Sequence, residues 1–399
     1  MNSMRYTPES ELSGRIHRIQ SLMTGTDLEG LLVIHHTNLF YFSGTSQNGY
    51  LFIPAEGDPL LMARRSYDRA RRESGLGAVI PLGSLKQIPS MIRTHLGRDC
   101  AKIGLELDVI PVNTFTFLRD RLLRTSDLVD ASALFKKARL IKSEYEIDLL
   151  RQSCSILDQA FGIVPARLKA GMTEVALAAE FEGQMRKNGY GGICKVRAFN
   201  RDFCLGNIVS GCSGAVPSFF DGPVNGPGLT PANNPHGAGW KAIEENESVY
   251  VDYTCVVNGY TADAERIFAL GKLEKRLEKA HQTALDIQAA AMEMIVPGCS
   301  WARVWEQAHA MAQAAGLIDH FMGLGKEQVR FLGHGVGLEL DEMPVFAAGF
   351  DAQMQVGMTF ALEPKFVFEQ GVVGIENTFA LTEAGLEKLT RYDEQIQYV

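Results

Sequence analysis

Ser248-Val-Tyr-Val-Asp252-Tyr-Thr-Cys-Val-Val-Asn258-Gly259-Tyr-Thr-Ala-Asp263-Ala-Glu265-Arg266-Ile-Phe-Ala-Leu270 places two runs rich in β-branched and aromatic residues on either side of an Asn-Gly pair. Asn-Gly tolerates positive φ at two successive positions, which a two-residue hairpin turn requires. With Asn258-Gly259 as that turn, Val257 pairs with Tyr260 and Asp252 faces Glu265. Asp263 is then the diagonal neighbour of Asp252 on the same sheet face. Diagonal Cβ atoms lie roughly 5.5–8 Å apart, close enough for two carboxylates to share a cation. Without a cation, acidic groups on one face repel one another.

The chain offers the same device again in Thr359-Phe-Ala-Leu-Glu363-Pro-Lys-Phe-Val-Phe-Glu-Gln370-Gly371-Val-Val-Gly374-Ile-Glu376-Asn-Thr378-Phe379. A turn at Gln370-Gly371 sets Glu363 opposite Thr378, with Glu376 on the diagonal. A solvated sheet face would explain isolated charges. It does not suit carboxylates set among Val251, Phe360, Leu362, Ile375 and Phe379. Between the hairpins, Gly333-His334-Gly-Val-Gly337 flanks one histidine with glycines, which let backbone approach a site closely. Four carboxylates and one imidazole make a hard, oxygen-rich donor set suited to divalent Mn, Co, Fe or Zn. Five ligands exceed what one catalytic ion needs and suit two ions sharing bridging carboxylates, with a bridging hydroxide as nucleophile.

Outward from these hairpins the domain reads as a repeat. A helix ends at Lys169-Ala-Gly171-Met-Thr173 and a second runs to Gly189. Later a helix ends at Val296-Pro-Gly298-Cys-Ser300 and a second runs to Gly316, with the same spacing between glycines. In each unit a Gly stop precedes a Thr or Ser placed to cap the next helix. β-rich sequence follows each unit, so an α+β duplication is predicted, with the site in the cleft between halves. Ser143, three residues before Glu146, forms a capping-box signature that opens this catalytic domain. The preceding segment reads as a small α/β domain. Its strands are predicted at 31–35, 50–54, 59–62 and 101–105, and its helices around 15–24 and 85–96. Residues 1–138 and 139–399 are the expected domains.

Composition narrows the partners. The 399 residues are 46% hydrophobic and 22% charged, with 39 Lys+Arg against 47 Asp+Glu and a net charge of −8. An acidic total argues against nucleic-acid or anionic-membrane partners. No apolar run approaches the ~18 residues of a spanning helix. Seven cysteines without a C-x-x-C pair argue against a disulfide framework or zinc ribbon, and a cytoplasmic location is expected.

Asp252, Asp263, His334, Glu363 and Glu376 together resemble the Asp-Asp-His-Glu-Glu metal set of the pita-bread metallopeptidases. Within that family the chain is similar to the aminopeptidase P, prolidase and creatinase branch. Arg139-Leu-Ile-Lys-Ser143-Glu-Tyr-Glu146, Gly333-His-Gly-Val-Gly-Leu338 and Leu362-Glu-Pro364 carry the likeness. It implies an α/β N-terminal domain before an internally duplicated α+β pita-bread catalytic domain, and a homodimer. It implies hydrolysis of an amide in an Xaa-Pro peptide by a dinuclear centre, with peptide or another small amide as substrate. Asp252 and Asp263 would hold one ion and His334 and Glu363 the other. Asp263 and Glu376 would bridge, and Glu363 would shuttle the proton. His236 is expected near the substrate.

Departures from the family pattern concern substrate recognition. Asp341 stands where a substrate-facing histidine is usual, Gly374 where an arginine is frequent, and Glu265 where a threonine is typical. Arg197 and Arg201 are candidates for the positive charge absent at Gly374. The alternative readings are a creatinase-like hydrolase, a dimethylsulfoniopropionate-lyase-like enzyme, or a non-catalytic scaffold on the same fold.

Overall fold

A computed structural model describes residues 5–199, 205–232 and 236–399. The chain divides into two compact units, Met1–Arg139 and Leu140–Val399. The first is built on a six-stranded sheet in the spatial order 78–81, 60–63, 49–54, 30–33, 102–105 and 127–130. The Gly49–Pro54 and Leu60–Ala63 strands form the antiparallel hairpin expected around Glu56-Gly57-Asp58. The remaining neighbours of that order are parallel except 30–33 with 49–54. Leu31, Leu32, Val33, Phe52 and Ile103 are fully buried, as expected of sheet covered by helices such as Glu9–Met23 and Ile88–Leu96.

The second unit opens on the Glu144–Phe161 helix. Ser143 accepts from the Glu146 backbone N–H while the Glu146 side chain accepts from the Ser143 N–H, closing the expected capping box. Duplication is visible in hydrogen bonds as well as in element order. In the first half Gly171, Glu174 and Val175 donate backbone bonds to Ile243, Lys241 and Gly239. In the second half Gly298, Trp301 and Ala302 donate to Met354, Ala352 and Phe350, the same offsets. Thr173 bridges Ala242, and Ser300 bridges Gln353 in the same manner. One expectation fails here: Thr173 caps the Glu174–Lys187 helix through its side chain, whereas Ser300 makes no side-chain cap to Trp301–Ala314. The backbone bridge to Gln353 sets the entry of that helix instead.

The first catalytic hairpin has the register expected from Asn-Gly. Ser248–Val257 and Tyr260–Ala269 pair antiparallel, with Val257 opposite Tyr260, Asp252 opposite Glu265 and Thr254 opposite Asp263. Asn258 and Gly259 take φ of 48° and 89°. The second hairpin differs from expectation. Phe368 pairs with Gly371 and Lys365 with Gly374, so the turn is Glu369-Gln370 and the register is two residues away from that predicted. Farther along, Leu362 pairs with Asn377 and Ala361 with Thr378. Glu363 therefore stands across from Glu376, not Thr378. The two pieces also belong to different sheets: Thr359–Leu362 and Asn377–Thr382 lie in a five-stranded sheet, and Lys365–Phe368 with Gly371–Gly374 form a two-stranded ribbon. Both glutamates sit at the break between them.

Candidate metal centre

Local strand geometry explains which side chains converge. Residues two apart on a strand share a face, so Asp263 and Glu265 point to one side of their strand. The backbone of Asp263 is held by Thr378, whose Oγ1 accepts from Asp263 N at 2.9 Å and donates to Asp263 O at 2.7 Å. Glu265 N donates to Glu376 O at 3.2 Å, which ties the two hairpins at the level of the acidic groups. His334 lies on Phe331–Val336, whose neighbours are 340–347 and 359–362, with His334 opposite Ala361.

The structure brings all five expected ligands to one cleft. His334 Nε2 lies 3.8 Å from Asp263 Oδ2, 3.6 Å from Glu363 Oε1 and 3.9 Å from Glu376 Oε1. Asp263, His334 and Glu376 each offer a ligand atom within 4.8 Å of the other two, so these three could hold an ion, with Glu363 beside them. The polar bookkeeping agrees. Asp263 Oδ1 and Glu376 Oε1 are buried with no hydrogen-bond partner, and such groups are costly unless something charged completes them. Burial pushes Asp263 and Glu376 well above the usual carboxylate range, and each is pushed further by neighbouring carboxylates. Burial pulls the His334 imidazole down, but the charges of Asp341, Glu363 and Asp263 outweigh it and leave it raised.

Asp252, the fifth expected ligand, lines the same cleft and has one oxygen engaged by neighbouring donors. Its Oδ2 accepts from Tyr250 Oη at 2.5 Å and from Lys365 Nζ at 3.1 Å. The same ammonium donates to Glu363 Oε2 at 2.8 Å and to Glu376 Oε2 at 3.0 Å. Lys365 is 2% exposed. It supplies the positive charge that is absent at Gly374, directly across the ribbon. Arg197, suggested for that part, instead lies 3.9 Å from Glu339, and Arg201 lies outside the described residues.

The departures find places too. Asp341 has a left-handed backbone (φ 61°) and sets Oδ1 3.6 Å from His334 Nδ1, on the side away from the other carboxylates. Glu265 is fully buried with both oxygens unpartnered, and burial raises it to about 8. That upward shift lessens its repulsion of Asp252, which it faces across the hairpin. His236 is buried at the cleft wall against Phe220, ring centroids 4.8 Å apart, and burial lowers it to about 4. A neutral imidazole at that wall both donates and accepts.

Sequence reading missed two residues that shape the site. Lys365 was one, because an alternating strand pattern does not say which charges are enclosed. Arg266 was the other. It is 1% exposed and donates to the backbone oxygens of Glu265, Glu376 and Tyr392 and to Asn377 Oδ1. It thereby fixes the chain at Glu376 and Asn377. A buried arginine beside a ligand strand is suggested only by its place next to Glu265.

The cleft occupies about 550 Å³ counting its open mouth and is lined by Phe220, His236, Asp252, His334, Asp341 and Lys365 among others. Residues 148–383 match the model of metallopeptidase family M24, and residues 15–141 match the creatinase/prolidase N-terminal domain. The chain belongs to metallopeptidase family M24. It is 25% identical over 386 residues to an Xaa-Pro dipeptidase of Pyrococcus furiosus, covering 96% of this chain and 99% of that one. It is 26% identical over 388 residues to an uncharacterized Bacillus subtilis peptidase, with 96% and 99% covered. Among solved structures, an Xaa-Pro dipeptidase from Bacillus anthracis superposes with a TM-score of 0.82 at 22% identity, covering 97% of this chain and 100% of that one. The prolidase from Pyrococcus horikoshii superposes with a TM-score of 0.79 at 23% identity, covering 96% and 99%. The M24 chain thus has the expected architecture, an α/β N-terminal domain followed by a duplicated α+β pita-bread domain. No helix among the described residues is long and apolar enough to cross a membrane.

Proposed function

We propose that this M24 chain is a metal-dependent exopeptidase that removes the N-terminal residue from short Xaa-Pro peptides. The observation that carries the reading is the convergence of His334 Nε2 with Asp263 and Glu376, beside Glu363, around buried, unpartnered carboxylate oxygens in the cleft. The names of its relatives support the substrate class.

A divalent cation bound there would polarise the scissile carbonyl and lower the pKa of water. The chain's own residues do the rest. Glu363, at the meeting of the two strand pieces, takes a proton from the attacking water and returns it to the leaving imino nitrogen. Lys365 holds the other oxygen of Glu363 and so orients it. His236, kept neutral by burial, contacts the substrate from the opposite wall. Asp341 and Asp221, together with Phe331 and Val345, line the mouth and favour a cationic group such as a peptide N-terminus.

The test is a panel of Xaa-Pro dipeptides and tripeptides with Mn or Co supplied, scored by release of the N-terminal residue. Activity lost to a chelator and restored by metal is expected. Silence across the panel from protein with metal bound overturns the substrate assignment. A second reading, hydrolysis of a different small amide, is favoured by one feature: Asp341 cannot donate to an oxyanion as a histidine would. Turnover of non-peptide amides with a silent peptide panel would establish it.

A further inference from the structure

The two faces of the acidic cluster are not equivalent. Glu363 and Glu376 each divide their oxygens, Oε1 toward the His334 imidazole and Oε2 toward the Lys365 ammonium. Asp263 Oδ2 belongs to the imidazole side and Asp252 Oδ2 to the ammonium side. An ammonium has three N–H donors. Those of Lys365 match three carboxylate oxygens at 2.8, 3.0 and 3.1 Å. These oxygens come from Asp252 and from the two glutamates, the groups available to a second ion on that side.

We infer that the Lys365 ammonium takes the place of one of two metal ions, so that this chain holds a single divalent ion at Asp263, His334 and Glu376. The inference rests on the metallohydrolase reading above and replaces its expected pair of ions with one ion and one built-in cation.

Two further observations support it. Lys365 opens the ribbon just past the break that holds Glu363, and its ammonium turns back to Glu363 Oε2 at 2.8 Å. Its partner across the ribbon is Gly374, where an added Cβ would meet Lys365 Cγ at 2.8 Å, Pro364 O at 2.8 Å and Lys365 Cα at 2.9 Å. Glycine at 374 leaves the lysine stem room to turn inward.

The test is metal stoichiometry. Full-length protein saturated with Mn and freed of excess by gel filtration is analysed by elemental mass spectrometry and by Mn electron paramagnetic resonance. One ion per chain with an uncoupled Mn signal supports the inference. Two ions per chain, or an exchange-coupled pair, overturns it and leaves the metallohydrolase reading standing; no bound ion overturns both. Lys365→Gly removes the ammonium, and its stoichiometry is expected to double to two. A folded Lys365→Gly chain that still holds one ion overturns the exclusion by lysine. Should that variant fail to fold, the wild-type count still decides.

Discussion

Asp341→Asn is the substitution whose consequence follows most directly from the geometry. Asp341 Oδ1 lies 3.6 Å from His334 Nδ1, behind the nitrogen that faces the other carboxylates. A unit charge at that distance acts with about 4.6 kcal/mol at an effective dielectric near 20. The Asp341 side chain is 33% exposed, and solvent screening reduces this to roughly 1–3 kcal/mol. That corresponds to the ~10–100-fold loss of metal affinity typical when a carboxylate behind a ligating histidine is removed. The sign depends on pH. Asp341 helps the imidazole bind a proton as well as a metal, so in the wild type the two compete more keenly as acidity rises. His334 is raised above 6.5 overall, despite burial, by Asp341, Glu363 and Asp263. The full deficit of Asp341→Asn is therefore expected only above the raised wild-type value, and it should narrow as pH falls through that value. Isothermal titration with Mn or Co at several pH values between about 6 and 9 measures it. Equal affinities for wild type and variant at the alkaline end would refute the coupling. A deficit that widened on acidification would refute the sign.

Two further outcomes test the supports of the site. Arg266→Lys replaces a fork reaching four acceptor groups with one ammonium of shorter reach, and charged hydrogen bonds are worth roughly 1.5–3 kcal/mol each. Loss of at least ~3 kcal/mol of stability is expected in calorimetry, together with weaker metal binding through the displaced Glu376; an unchanged melting temperature would remove Arg266 from the argument. His236 is lowered by burial from 6.5 to about 4, so the unfolded chain binds more protons between those values. Stability should be intact above pH 6.5 and fall by up to ~3 kcal/mol toward pH 4, and His236→Phe should flatten that window in pH-dependent melting.

Local sequence specified a good deal. Asn258-Gly259 determined the first hairpin's register because a two-residue turn leaves no freedom in strand pairing, and Asp252, Asp263 and Glu265 followed from alternation. Gly171 and Gly298 marked the duplication: each takes positive φ in the turn after a helix, beyond the closes at Arg167 and Met294 rather than at the helix ends expected. The second hairpin was misread because Glu369-Gln370 lacks the Gly signal of Gln370-Gly371, yet forms the turn. There the ribbon packs against the neighbouring hairpin, where Val372 N donates to Ser248 Oγ, a tertiary contact that turn signals do not encode.

What the chain alone offered was a candidate donor set: five ligand-type residues, on hairpins and a glycine-flanked strand, in a recognisable order. What only the tertiary structure decided was how those donors divide. Lys365 reaches Asp252 across 113 residues of sequence, Arg266 reaches the backbone of Glu376 across 110, and Asp341 folds back on His334 through a left-handed turn. Strand alternation is a local property and is legible in sequence. Electrostatic partnership in a buried site depends on which charges share the same few ångströms of low-dielectric space, and distant segments settle that when they pack.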